Sequence, residues 1–133
     1  MTEQQIILVK SSWLTFRHIK PATIADLFYS KLFMEHPELR KMFPKHMEAQ
    51  YQKLIDMLNA IVARLDEAEI LSDDITALAY RHKSYGVQPA HYRYVGEALL
   101  WTLERGLGNG WTKETAEAWK ACYQFLSASM LKA

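Results

Sequence analysis

The feature that most constrains the fold is the spacing of apolar residues, which repeats every three or four positions along most of the chain. The clearest run contains Tyr51, Leu54, Leu58, Ile61 and Leu65. This spacing places side chains on one face of an α-helix. No segment alternates apolar and polar residues with the period of two that is typical of a strand. The sequence therefore predicts an all-α protein of about seven helices.

Several residues are of types that favour the ends of helices. Thr2 with Gln5 predicts a capping box, and Gly86 predicts a helix end. The other predicted helix starts are marked by Pro21, Ser72, Pro89 and Thr112.

The length and the charge of the chain limit the classes of function. A chain of 133 residues predicts a single domain, residues 1–133. Its net charge of +1, with Lys and Arg scattered along the sequence, gives no electrostatic support for binding nucleic acid or a membrane. The N-terminal residues do not resemble a signal peptide, and no apolar segment is long enough to span a bilayer. We expect a soluble, cytoplasmic protein.

His82 stands out because it shares a helix face with apolar residues. It follows Ile75 by seven positions, Leu78 by four and Ala79 by three. These spacings predict that the imidazole points into the interior. A buried imidazole requires a hydrogen-bond partner or a metal ion. From spacing alone, a hydrogen-bonded core histidine is favoured over a metal ligand.

A haem would need only one such residue, because it supplies four nitrogen ligands and requires one axial imidazole from the protein. It also requires an apolar slot, and the sequence has enough Phe and Met residues to line one. The same residues could equally form an ordinary core. Tyr29 and Gln50, taken alone, are interpreted as residues whose polar groups face solvent.

Four segments carry a resemblance to the bacterial single-domain globins and to the haem domain of flavohaemoglobins, over nearly the full length of the chain. They read "DLFYSKLFMEHPELRKMF", "QYQKLIDML", "RHKSYGVQPAHYRYVG" and "AWKACY". The resemblance implies a three-over-three globin fold that binds haem b. It also implies that His82 is the proximal iron ligand, and not the hydrogen-bonded core histidine that spacing alone favours.

The resemblance implies roles for five further residues. Tyr29 matches the tyrosine above the iron, and Gln50 matches the distal polar position. Leu54 would lie over the haem, and Phe43 would pack against the haem plane. Tyr92 matches a tyrosine that supports the proximal histidine.

The function that the resemblance implies is reversible binding of O₂ and oxidation of nitric oxide to nitrate. The expected small ligands are O₂, NO and CO, and a separate reductase is expected to supply electrons. We expect a monomer or a weak dimer. The alternatives are O₂ storage or transport, and gas sensing, without catalysis.

The sequence departs from the flavohaemoglobin pattern at the proximal histidine. The position of the glutamate that supports this histidine falls one residue beyond Ala133. We therefore expect the outer nitrogen of His82 to donate a hydrogen bond to a backbone carbonyl, that of Leu78. The terminal carboxylate of Ala133 is the alternative partner.

Overall fold

The computed structural model describes residues 1–132, without the side chains of residues 68–70. Its α-helices are α1 Glu3–Thr15, α2 Pro21–Glu35, α3 Glu48–Ala63, α4 Ala68–Ser84, α5 Pro89–Leu107 and α6 Lys113–Lys132. Short 3₁₀ helices span Phe16–His18, Pro37–Met42 and Gly108–Gly110. No strand occurs within residues 1–132, so the all-α prediction is confirmed.

The helices pack as two layers of three. Helices α1, α3 and α4 form one layer, and helices α2, α5 and α6 form the other. Between the layers, α1 and α4 pack against α6, and α3 packs against α2. Within the second layer, α5 packs against both α2 and α6. In the part of the chain that the structure describes, α4 does not pack extensively against α3.

The core lies between these layers and follows the predicted helical stripes. Leu54, Leu58, Ile61 and Leu65 are buried, as the spacing predicted, and Tyr51 is half-buried. Between α6 and α1, the buried indole of Trp119 donates a hydrogen bond to the Ser12 hydroxyl at 2.9 Å.

Most of the predicted helix ends are confirmed. The hydroxyls of Thr2 and Thr112 accept hydrogen bonds from the backbone N–H groups of Gln5 and Thr115, each at 3.1 Å. The other ends are confirmed by Pro21 and Pro89 in the first turns of α2 and α5, and by Gly86, with a φ of +80°, just after α4.

The prediction that Ser72 begins a helix is wrong. Helix α4 begins at Ala68, so Ser72 lies within it, and its carbonyl accepts a hydrogen bond from the Thr76 hydroxyl at 2.9 Å. The earlier start places the buried Leu71 within the helix. Ala and Glu in the preceding turn also favour helix.

Within residues 1–132, no helix combines the length and the apolar character that crossing a bilayer requires.

Candidate functional site

Tyr29 and Gln50 lie next to each other, although 21 positions separate them in the sequence. Tyr29 is on α2 and is 4% exposed. Gln50 is in the first turn of α3, and its side-chain amide donates a hydrogen bond to the Tyr29 hydroxyl at 3.0 Å. The packing of α3 against α2 brings the two side chains together. Gln50 is half-buried, so the solvent-facing interpretation of both residues from spacing alone is wrong.

Aromatic rings surround Tyr29 on several sides and hold its ring in place. Phe28 and Phe43 meet it edge to face, with centroids 4.9 and 5.4 Å away. Phe33 and Tyr51 stack against it at 5.7 and 5.6 Å. Such contacts fix the position of the ring as well as burying apolar area. The Tyr29 hydroxyl therefore occupies a defined position.

Tyr51 is a site residue that sequence reasoning missed. Its ring lies 10° from parallel to the Tyr29 ring, and its hydroxyl donates a hydrogen bond to the Asp26 carboxylate at 2.8 Å. That bond anchors the far end of Tyr51 to α2, which holds the start of α3 against α2. The helical stripe predicted only that Tyr51 faces the core. No pattern in the sequence pairs it with Asp26, 25 positions earlier.

The Tyr29 hydroxyl retains a proton for donation. Burial raises the pKa of this hydroxyl above its usual value of 10.0, and the hydrogen bond from Gln50 opposes that rise only in part. The phenol is therefore neutral at physiological pH. Its oxygen accepts from Gln50, and no group among residues 1–132 accepts the hydroxyl proton. Tyr29 can thus donate to a ligand that enters beside it.

His82 lies in the last turn of α4 and is half-buried. Its Nδ1 is 2.8 Å from the backbone carbonyl oxygen of Leu78, four positions earlier. A carbonyl only accepts hydrogen bonds, so Nδ1 carries the proton and donates it. The prediction that Leu78 is the partner of His82 is confirmed. In the neutral imidazole Nε2 then carries no proton, and this is the form that binds a metal ion.

The backbone beyond His82 is also tied to this turn. The N–H groups of Tyr85 and Val87 donate to the His82 carbonyl oxygen at 3.1 and 3.2 Å. Gly86 provides the left-handed conformation that the reversal of the chain requires. These bonds fix the backbone of His82 as the Leu78 contact fixes its ring.

Tyr92, at the start of α5, lies beside His82. The two rings are stacked with centroids 6.5 Å apart and planes inclined at 28°. The backbone carbonyl of Tyr92 accepts a hydrogen bond from the Tyr123 hydroxyl on α6. Gly96 lies one turn after Tyr92 and lets α5 approach Tyr123, because a Cβ at position 96 would lie 2.6 Å from the Tyr123 ring. Tyr123 is a second residue that sequence reasoning placed only on an apolar stripe.

The predicted site residues form two groups. Tyr29, Gln50 and Phe43 are in contact around α2 and the start of α3, and Leu54 is buried one turn after Gln50. His82 and Tyr92 form the second group, on α4 and α5. Within the described residues, no hydrogen bond or ring contact joins the groups. The first group offers a neutral hydrogen-bond donor in an apolar setting, and the second offers a single metal-binding nitrogen.

A separate cavity of about 460 Å³ is lined by α1, the start of α2 and α3. Its lining includes Trp13, Phe16 and Ile55, but none of the predicted site residues. It is therefore distinct from the candidate site.

The chain is similar to known proteins over most of its length. A flavohemoprotein of Vibrio cholerae is 30% identical over 130 residues, which cover 96% of this chain and 33% of that protein. A flavohemoprotein of Rhizobium meliloti is 37% identical over 103 residues, covering 75% and 26%. The chain thus spans about a third or less of the length of these two proteins. It also matches an uncharacterized globin-like protein of Aquifex aeolicus, at 29% identity over 98% of this chain and 92% of that one.

Solved structures have the same fold. A protein from Rhodothermus marinus, described as an engineered carbene transferase and a proposed nitric oxide dioxygenase, superposes with a TM-score of 0.84 at 30% identity, covering 96% of this chain and 89% of that one. A bacterial globin from Campylobacter jejuni gives 0.83 at 21% identity, covering 98% and 94%. The family model for globins matches residues 26–130. The chain therefore belongs to the globin family and has the globin fold.

Proposed function

We propose that this chain binds haem b and oxidises nitric oxide to nitrate, using O₂ and an electron from a separate reductase. The observation that carries the proposal is the buried Tyr29 hydroxyl, which is oriented by Gln50 and keeps its proton available for a ligand. The reaction NO + O₂ + e⁻ → NO₃⁻ is balanced, so each nitrate requires one external electron.

The residues present fit a haem. Nε2 of His82 would be the proximal ligand, while the bond from Nδ1 to Leu78 holds the ring in the correct tautomer. Leu54 and Phe43 would provide apolar contacts on the distal side. The bound haem would supply the iron at which O₂ and NO react.

Tyr29 and Gln50 would set the strength of O₂ binding. A hydrogen bond to an acceptor that bears charge is worth about 1.5–3 kcal/mol, which corresponds to roughly 10- to 100-fold in affinity. Differences of this kind are expressed mainly in the dissociation rate. Slow release of O₂ suits a reaction with a second gas better than delivery to another site.

The relatives support the same proposal. Two of them are named flavohemoproteins, and one structural neighbour is described as a proposed nitric oxide dioxygenase. We infer that residues 1–133 act as one globin domain, since α1, which precedes the matched range, packs against α6. A cytoplasmic location and a monomeric or weakly dimeric state stay predictions of the sequence.

The test is nitrate production over repeated cycles. Ferrous holoprotein in air-saturated buffer would receive successive pulses of NO, with a chemical reductant present. We expect one nitrate for each NO consumed, over many cycles, and a lower rate in the Tyr29→Phe variant. A single cycle, combined with rapid release of O₂, would contradict the proposal and favour an O₂ carrier.

The iron–histidine bond provides a further prediction. His82 donates to the neutral Leu78 carbonyl, which gives the imidazole less negative character than a carboxylate partner would. We expect the iron–histidine stretching frequency of the ferrous deoxy form, measured by resonance Raman, to lie in the range of myoglobin. A frequency in the peroxidase range would mean that a carboxylate reaches His82. The terminal carboxylate of Ala133 is one candidate, and that residue lies outside the described residues.

A further inference from the structure

The chain between the 3₁₀ helix Pro37–Met42 and α3 receives little support from backbone hydrogen bonds. We call residues 43–47 the connecting segment. Within residues 1–132, the carbonyls of Phe43, Pro44 and Lys45 accept no hydrogen bond from a backbone N–H group. No side chain caps the start of α3 either. The connecting segment therefore needs another source of hydrogen bonds to hold one conformation.

The side chain of Arg40 supplies these hydrogen bonds. Its Nη1 donates to the carbonyl oxygens of Phe43 and Pro44 at 3.3 and 2.9 Å. Its Nη2 donates to the carbonyl oxygen of Lys45 at 3.0 Å. A guanidinium carries five N–H donors in a rigid planar fork, so one side chain can hold three successive carbonyls. One residue of the preceding 3₁₀ helix thus fixes the first half of the connecting segment.

The same guanidinium contacts the aromatic rings around Tyr29. Its central carbon lies 5.6 Å from the centroid of the Phe33 ring, which is within the range of a cation–π contact. Phe33 meets Phe43 edge to face at 5.3 Å and stacks on Tyr29 at 5.7 Å. Arg40 therefore joins the connecting segment to the rings that hold Tyr29 in place.

Arg40 and Tyr51 fix the chain on opposite sides of Gln50. Gln50 is in the first turn of α3, and its bond to the Tyr29 hydroxyl requires that α3 begin in the right place. The bond from Tyr51 to Asp26 holds the residue that follows Gln50. The bonds from Arg40 hold the segment that precedes it.

The charge of Arg40 is not used in an ion pair. The side chain is half-buried and forms no salt bridge with any of residues 1–132. Its charge acts instead on neutral carbonyls and on the face of a ring. A hydrogen bond with a charged donor is stronger than one between neutral groups, which suits a contact that must hold a segment lacking its own bonds.

We propose that Arg40 is a positioning residue for the distal hydrogen-bond donors. It fixes the connecting segment, so that Phe43 stays against Tyr29 and α3 starts where Gln50 reaches the Tyr29 hydroxyl. This inference rests on the proposed function, in which that hydroxyl donates to bound O₂. Arg40 acts through Tyr29 and Gln50 and does not touch the ligand.

The test variant is Arg40→Met, which keeps an unbranched apolar side chain and removes every donor. The matched control is Lys41→Met, which makes the same change of charge at the next position. Lys41 is exposed and has no hydrogen bond or salt bridge within residues 1–132. We expect O₂ to dissociate from ferrous Arg40→Met about three- to tenfold faster than from the unmodified protein, with little change in Lys41→Met.

The C–O stretching frequency of the ferrous CO form distinguishes positioning from a loss of stability. A hydrogen bond to bound CO lowers this frequency, because it favours donation of electron density from the iron to the ligand. We expect the infrared C–O band of Arg40→Met to move to higher frequency or to split, and the band of Lys41→Met to stay unchanged. A lower melting temperature with an unaltered C–O band and O₂ dissociation rate would overturn the proposal.

Two further variants test the route of the effect. Arg40→Lys keeps the charge but not the planar fork, so its C–O band and O₂ dissociation rate should lie between those of Arg40→Met and the unmodified protein. In a Tyr29→Phe background, Arg40→Met should change the O₂ dissociation rate less than about twofold, because Arg40 acts through Tyr29. A full, multiplicative effect in that background would also overturn the proposal.

The positioning role and the proposed function fail separately. A shifted C–O band in Arg40→Met, in a protein that makes no nitrate, would support positioning and reject NO oxidation. Nitrate formation over many cycles, with the C–O band and O₂ dissociation unaffected by Arg40→Met, would reject positioning alone.

Discussion

The variant His82→Ala is expected to lose tight retention of haem. His82 provides the only histidine nitrogen that the predicted site offers to iron, and its Nε2 is set in the metal-binding tautomer by the bond from Nδ1 to Leu78. A globin haem depends on one axial imidazole, which no other predicted site residue can supply. The measurement is the Soret absorbance, relative to protein absorbance, after gel filtration of protein reconstituted with haem.

Two further variants separate loss of the ligand from loss of the fold. His18→Ala removes an exposed histidine beyond α1 and should retain the full Soret band. His82→Gly should recover a Soret band when free imidazole is added, because the ligand then occupies the space left by the side chain. A full and unaltered Soret band in His82→Ala would reject the assignment.

For His82, the spacing of residues along the helix predicted the local structure but not the function. Residues three, four and seven positions apart lie on one helix face, so the sequence predicted both the inward direction of the imidazole and its Leu78 partner. Both depend only on the geometry of α4. Spacing alone favoured a core histidine over an iron ligand, because an intrahelical hydrogen bond satisfies the ring in either case. The ligand role came from the family resemblance.

The contacts of Tyr29 and Gln50 could not be predicted from the spacing of residues within one helix. Taken alone, Tyr29 and Gln50 were interpreted as facing solvent, yet they are joined by a hydrogen bond between two helices. The contact between Tyr51 and Asp26 likewise spans α3 and α2. Such contacts depend on how far each helix is rotated and shifted against the other. Periodicity within one helix does not determine those quantities.

The prediction about Ser72 failed for a related reason. Serine favours an N-cap, but the position of a helix start also depends on which residues the core needs in helical form. Helix α4 begins one turn before Ser72 and includes the buried Leu71. Elsewhere, at Thr2 and Thr112, the local signal and the packing agree.

The variant Tyr29→Phe is expected to release O₂ at least about tenfold faster, because it removes one donor worth about 1.5–3 kcal/mol. The substitution keeps the ring, so the contacts with Phe43 and Tyr51 are retained. The measurement is the O₂ dissociation rate of the ferrous holoprotein by stopped-flow displacement with CO.

The pH dependence gives an independent check of the same donor. Burial raises the pKa of the Tyr29 hydroxyl above 10.0, so the phenol keeps its proton throughout the neutral range. The O₂ dissociation rate should therefore be constant between roughly pH 6 and pH 9, well below the usual pKa of tyrosine. A rate that rose within this range would mean that another group holds the ligand.

A double-mutant cycle separates the donor from the residue that orients it. Gln50→Leu leaves the Tyr29 proton in place but removes the bond to its oxygen, so we expect a smaller rise in the O₂ dissociation rate than in Tyr29→Phe. The double variant should show less than the product of the two effects, since Gln50 acts through Tyr29. Tyr51→Phe, which keeps the stacked ring and loses only the Asp26 bond, is the matched control and should change the rate little. Independent, multiplicative effects of the two substitutions would show that Gln50 contacts the ligand directly. An unchanged rate in Tyr29→Phe would show that the Tyr29 hydroxyl does not contact the ligand.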